Sequence, residues 1–392
     1  WQWKVAAIGG SFAILAPGDK VAAQNLGPYV LQNRANNPLR APLTGAEHRP
    51  TMVDLDNDGD YDIVAGSKSN SYYLLLFTND GTVASPGFLS NFLYDHLGAK
   101  IPAGSPAFAD LDGDGDLDLA VADINGIRYY QNINGQLTPQ TGAANPFDSF
   151  STYVYRYPSI SFVNFDGDGD FDLLFADEDS YPNRAKLLYF ENDGSLNFSL
   201  APLSVSPTIV GDSDFDEPIP LMADVDGDGE IDLIIGTYDR DIKFFKGSGA
   251  TFTRQTGPWN PVSKTGNPFY DLTTGPDNHS FYAVAPGLAD MDNDGDVDLF
   301  MGFQEEYGEE QAFLYYENTG DAVFVERSFL GNPFDGVDVG DEGVPFFVDV
   351  DGDGQTDALL GGRNGFPLPS LQYYKNTNGN FDLLKQNKNL EG

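Results

Sequence analysis

Five carboxylates crowd into the nine residues Asp110-Leu111-Asp112-Gly113-Asp114-Gly115-Asp116-Leu117-Asp118, between two short apolar runs. Left alone, such a cluster repels itself. A hard divalent cation resolves the repulsion, and Ca²⁺ accepts roughly six to eight oxygens at about 2.3–2.6 Å in flexible geometry. The spacing assigns the oxygens: Asp110, Asp112 and Asp114 at positions 1, 3 and 5 present side chains, and Gly115 at position 6 admits the sharp turn. Asp116 at position 7 presents its backbone carbonyl, and Asp118 at position 9 closes the shell. An EF-hand closes its shell at about position 12, on a helix. Here the closing carboxylate comes sooner and Leu119-Ala120-Val121-Ala122 follows, a run of strand length, so the loop is predicted to join two strands.

The stretch recurs. Besides Asp110 to Asp118, the chain carries Asp54, Asp56, Asp58, Asp60 and Asp62; Asn164, Asp166, Asp168, Asp170 and Asp172; and Asp224, Asp226, Asp228, Glu230 and Asp232. The last two copies are Asp290, Asp292, Asp294, Asp296 and Asp298, then Asp349, Asp351, Asp353, Gln355 and Asp357. First positions are 56, 54, 60, 66 and 59 residues apart, one supersecondary unit each. Position 9 is always Asp, whereas position 7 drifts through Asp, Glu and Gln. A backbone ligand tolerates that drift and a side-chain ligand does not. About six Ca²⁺ ions are therefore expected as cofactors.

Net charge is −39, which excludes an ordinary nucleic-acid binder and disfavours anionic membranes. The six loops hold 28 of the 60 acidic residues, so the ion sites explain much of the excess, and six Ca²⁺ would return about twelve charges. There is no Cys, hence no disulfide framework and no thiol chemistry. Loops of this kind fill at about 10⁻⁴–10⁻³ M calcium, a level found outside cells, so a secreted, extracellular or cell-surface location is expected. The start at Trp1 rather than Met fits a processed mature form, and Asn197-Phe198-Ser199 and Asn278-His279-Ser280 are glycosylation sequons.

In chain order, Trp1 to Pro17 is apolar but broken by Gly9-Gly10-Ser11, too short and too interrupted for membrane insertion, and contains two strand candidates. Each later unit then reads as four strands. A first runs into the ion loop (Pro106-Ala107-Phe108-Ala109) and a second leaves it. A third carries paired aromatics, as in Tyr129-Tyr130-Gln131-Asn132, Tyr189-Phe190, Phe244-Phe245, Tyr315-Tyr316 and Tyr373-Tyr374, read as core between units. The fourth leads out through Asn145-Pro146-Phe147, Asn267-Pro268-Phe269 or Asn332-Pro333-Phe334, an echo already present at Asn37-Pro38-Leu39. Four antiparallel strands in units of about sixty residues, with no helical period, predict an all-β β-propeller.

On these loops the chain resembles the FG-GAP/VCBS repeat proteins, whose calcium-loaded propeller forms the integrin α-subunit head. The resemblance covers roughly residues 37–390. It implies Ca²⁺ between the first two strands of each blade and a ring that commonly has seven blades; it implies no activity. Asn164 departs from the pattern by replacing the first Asp with a neutral ligand, which weakens that site. Residues 37–392 are therefore expected to form the propeller. Seven blades are expected, with six plus an extra N-terminal segment as the alternative. Residues 1–36 either close the ring or donate a strand to a neighbour, and donation is favoured because Gly9-Gly10 supplies a hinge.

Catalysis finds little footing. His48, His96 and His279 lie in dissimilar linkers, with His48 read as a loop residue, and no nucleophile or phosphate-loop motif is present. The expected function is a non-enzymatic, calcium-stabilised propeller for adhesion or self-assembly, a structural subunit of a surface polymer or filament. Its partners are other protein subunits, itself included, and not nucleic acid. The alternative is a carbohydrate-active propeller that takes glycans, either lectin or polysaccharide lyase.

Overall fold

Apolar residues flank each acidic stretch closely enough that the chain must fold back on itself to bury them, and it does so as an antiparallel pair. Ser105–Ala109 pairs with Asp118–Asp123 so that Ala109 faces Asp118, and the whole second strand is buried. The computed structural model that shows this describes residues 4–8, 11–15, 29–31, 48–55, 61–67, 73–79, 88–152, 158–164, 168–177, 186–201, 204–206, 219–237, 242–248, 251–270, 281–291, 294–305, 313–327, 332–334, 337, 340–348, 356–364 and 371–376. Every second strand begins at position 9 of its loop, where the Asp faces the last residue of the first strand.

Six sheets repeat this plan. Blade 1 is His48–Val53, Asp62–Ser67, Leu75–Asn79 and Phe88–Phe92; blade 2 is Ser105–Ala109, Asp118–Asp123, Gly126–Ile133 and Gln136–Gln140. Blade 3 is Ser159–Val163, Asp172–Asp177, Lys186–Asn192 and Phe198–Ala201. Blade 4 is Ile219–Ala223, Asp232–Gly236, Ile242–Ser248 and Thr251–Gln255, extended by Ser204–Ser206 running parallel to its last strand. Blade 5 is Phe281–Ala289, Asp298–Glu305, Phe313–Asn318 and Phe324–Arg327. Blade 6 has Gly340–Val348, Asp357–Asn364 and Leu371–Asn376, and takes its fourth strand, Tyr29–Leu31, from the other end of the chain. His48 opens a strand rather than sitting in a loop.

The ring has six blades, the alternative count, and not seven. The N-terminal material supplies one strand to blade 6 and a separate two-stranded hairpin, Lys4–Ile8 with Ser11–Leu15, which leaves no further four-stranded sheet among the described residues. Blade 6 meets blade 1 directly: Phe346, Leu359 and Tyr373 pack with Ile63, Ala65 and Phe77. First strands of neighbouring blades approach one another between blades 1 and 2, 2 and 3, 4 and 5, 5 and 6, and 6 and 1, and blades 3 and 4 share an apolar cluster that holds Leu174, Leu187, Leu221 and Ile235. The hairpin lies against the first strands of blades 2 to 6, at the centre of that ring. Among the described residues no helix is long and apolar enough to cross a membrane.

The Asn-Pro-Phe connectors wedge adjacent blades together. Asn145 Nδ2 donates to the Ile127 carbonyl at the head of the third strand (3.1 Å), and its Oδ1 accepts from the Phe147 N–H (3.0 Å), which turns the Phe inward. Asn267 and Asn332 repeat both bonds, on Ile242 and Phe269 and on Phe313 and Phe334. All three Phe rings are buried. Phe147 reaches Phe198 of blade 3, Phe269 reaches Phe324 of blade 5, and Phe334 reaches Tyr374 of blade 6, with centroids 4.8, 5.0 and 5.4 Å apart. Cutting such a ring back to Ala costs about 3–5 kcal/mol. Asn37-Pro38-Leu39 lies outside the described residues.

Ring closure through Tyr29–Leu31 is testable by truncation. A chain beginning at Gly18 keeps the closing strand and should remain a folded ring. One beginning at Asn33 exposes the edge of Leu371–Asn376 and should melt lower and aggregate. Size-exclusion chromatography and thermal melts compare the two, and identical behaviour would show that this strand does not hold blade 6.

Candidate metal centres in the six acidic loops

In the second loop the backbone is wound around its own carboxylates. Asp110 Oδ1 accepts from the N–H groups of Gly113 (2.8 Å) and Asp114 (3.1 Å), and its Oδ2 accepts from Gly115 (3.1 Å). Asp112 Oδ1 accepts from Asp114 and Asp114 Oδ1 from Asp116. Gly115 at φ +98° makes the turn that a side chain would strain. The result is a preformed bowl in which oxygens of Asp110, Asp112 and Asp114 all lie within 4.8 Å of one another. Asp116 points the other way: its Oδ2 accepts from the Asn134 N–H (3.0 Å), in the turn between third and fourth strands. Asp170 likewise faces the corresponding turn at Gly194. The drift at position 7 follows, since that side chain serves a turn and only its backbone faces the bowl.

Position 9 has a second duty that the residue pattern does not reveal. Asp62, Asp118, Asp172, Asp232, Asp298 and Asp357 are each 2% exposed or less. In all six blades Oδ1 accepts a backbone N–H from the end of the third strand, from Asn79, Asn132, Asn192, Gly247, Asn318 and Asn376, at 2.7–2.9 Å. Oδ2 accepts from the position-2 N–H of its own loop at Leu55, Val225 and Met291. In blades 2, 3, 5 and 6 it also accepts a tyrosine hydroxyl, from Tyr129, Tyr189, Tyr315 and Tyr373. The aromatic pairs are buried between blades as their spacing suggests, and their first member adds this polar contact. The invariance of position 9 thus has a structural cause beside any ligand role.

Burial pushes the Asp118 carboxyl up to about 6, although Tyr129 and Asn132 pull the other way. Asp232 has Phe244 where Asp118 has Tyr129; burial takes it to about 7, against the Gly247 N–H. A cation in the bowl would hold both carboxylates ionised.

The fourth loop brings Asp224, Asp226 and Asp232 within 4.8 Å. Asp226 is 2% exposed, and its Oδ1 is buried with no hydrogen-bond partner. An orphaned anionic oxygen in such a place fits a missing cation. The residues of the second and fourth loops therefore suit Ca²⁺. In the other loops Asp56, Asp58, Asp60, Asp166, Asp292, Asp349, Asp351, Asp353 and Gln355 lie outside the described residues. Lys246, whose ammonium touches Asp226 and Asp228, is a site residue that loop spacing alone does not disclose. Its ammonium is held above the ordinary range: burial works against it, and the two carboxylates outweigh burial.

Residues 54–121, 110–175 and 164–235 match the model of the FG-GAP-like repeat. No curated protein sequence matches the chain significantly. Among solved structures, a lectin of Agrocybe aegerita recognising non-reducing terminal N-acetylglucosamine is similar over 92% of this chain and 84% of its own, at 18% identity and a TM-score of 0.50. The Photorhabdus luminescens Tc holotoxin pore is similar at 17% identity and a TM-score of 0.45, over 93% of this chain and 15% of its own. BBS1N, solved in complex with ARL6DN, covers 90% of this chain and 97% of its own, at 10% identity and a TM-score of 0.44.

Two substitutions separate the roles within one loop. Asp118→Ala should lose one bound calcium and also destabilise the ion-free protein, because the Asn132 N–H and Tyr129 hydroxyl lose their acceptor at about 1–3 kcal/mol each. Asp116→Ala removes only the bond to Asn134 and should keep the ion. Mass spectrometric counting of calcium decides, and equal losses would contradict the assignment.

Proposed function

We propose that this FG-GAP-repeat β-propeller is a calcium-stabilised binding module that works outside the cell, holding a partner without transforming it. The observation that carries the reading is the preformed bowl of Asp110, Asp112 and Asp114, three carboxylates gathered at one point, a donor set that suits a hard divalent cation. About six Ca²⁺ ions would then brace about six first-to-second-strand turns. Affinities typical of such sites match calcium levels outside cells. The non-catalytic reading is supported by the buried carboxyls Asp118 and Asp232, which are tied to backbone N–H groups. The work assigned is adhesion or self-assembly into a surface structure through the loops, on a rigid scaffold.

Glycan binding is the second reading. The Agrocybe aegerita lectin shares the fold over most of both chains. Tyr73, Tyr94 and Tyr270 are exposed here, and flat aromatic faces suit sugar rings. A glycan array run in calcium, a lyase assay on acidic polysaccharides and negative-stain imaging of the native protein separate the readings. The primary one expects assembled or partner-bound particles and no glycan signal. Specific glycan binding would move the assignment to a lectin, and polysaccharide cleavage would overturn the non-catalytic reading.

A further inference from the structure

One position of the third strand reaches the acidic loops of blades 2 and 4 with different chemistry. It lies one residue before the N–H held by position 9, and is Thr78, Gln131, Glu191, Lys246, Glu317 and Lys375 in blades 1 to 6. In blade 2, Gln131 Nε2 donates to Asp112 Oδ2 at 2.6 Å. In blade 4, Lys246 Nζ donates to Asp226 Oδ2, the same loop position, and to Asp228 Oδ2 at 2.6 Å. A second ammonium, Lys264 Nζ, donates to the Asp226 backbone carbonyl. In blade 5, Glu317 engages Arg327 through two bonds of 2.7 and 2.8 Å. The same slot therefore delivers a neutral amide to one bowl and a positive charge to another, while in blade 5 its carboxylate is engaged by an arginine of the fourth strand.

We propose that this third-strand position sets the cation affinity of its loop, and that Lys246 is a built-in counter-cation that makes the fourth loop a weaker calcium site than the second. The inference rests on the calcium reading of the loops. An incoming divalent ion must displace the ammonium from the position-3 and position-5 carboxylates and bind near its charge. The ammonium does not answer the whole bowl, because Asp226 Oδ1 stays buried without a partner. The fourth loop thus keeps an affinity for calcium but fills after the second. In ion-poor surroundings Lys246 offsets part of the loop's negative charge, which lessens the self-repulsion of an unbraced bowl.

A reciprocal swap tests it on the full chain. Lys246→Gln installs the residue that blade 2 already tolerates, and Gln131→Lys does the converse. Calcium is titrated and bound ions are counted by native mass spectrometry, with thermal melts in chelator alongside. In Lys246→Gln one late-filling ion should bind about thirtyfold more tightly, the scale of one unit charge acting on a divalent ion at about 4 Å in water, while the melt in chelator falls. In Gln131→Lys one early-filling ion should weaken by a similar factor. Unchanged occupancy curves in both variants, with ions still bound, would overturn the role of this position and leave the calcium reading intact. Absence of bound calcium in wild type and variants alike would overturn both.

Discussion

A fully buried carboxylate opens the second strand of every blade, and the ring depends on its being answered. A charge taken out of water is tolerated only when hydrogen bonds replace the solvent. Here one oxygen holds the end of the third strand and the other holds the start of the loop, with a tyrosine hydroxyl added in four blades. Two separate stretches of backbone are thereby fixed to one side chain. The acidic loop cannot swing outward to relieve its own repulsion, so its remaining carboxylates stay gathered at the mouth of the blade.

Between blades the forces are apolar and shape-driven. Each Asn-Pro-Phe connector uses an amide to pin the head of one blade's third strand and turns a phenyl ring into the next blade. Rings such as Phe147 and Phe334 then touch aromatics on both sides. Within a blade, order comes from an anion and its donors; between blades, from buried aromatic area. Tyr29–Leu31 completes the sixth sheet and joins the two ends of the chain in one edge.

Much of this was legible in the residues. Six copies of one spacing announced six turns, and acidic or amide residues at every second position located the bowls. Paired aromatics marked third strands, and Asn-Pro-Phe marked exits. The blade count was not legible, because Tyr29–Leu31 is three residues long and carries no motif, while the apolar hairpin near the N-terminus resembles material for another sheet. The clamp at position 9 was hidden for a different reason: the partners common to all six blades are backbone N–H groups, which leave no trace in residue type, and only the tyrosine hydroxyls of four blades do. Lys246 was hidden because it lies far from its loop in sequence and only strand register brings it over Asp226.

On the proposed calcium reading of the loops, ion binding would join these levels energetically. With free ion at about ten times the dissociation constant, linkage contributes about 1.4 kcal/mol per site, so six comparable sites could supply up to about 8 kcal/mol. That approaches the whole stability of an ordinary domain, about 5–15 kcal/mol. Thermal unfolding in millimolar calcium against excess EDTA addresses the dependence directly. The account predicts a melting temperature lower by tens of degrees in EDTA, and the same melting temperature in both buffers would contradict it.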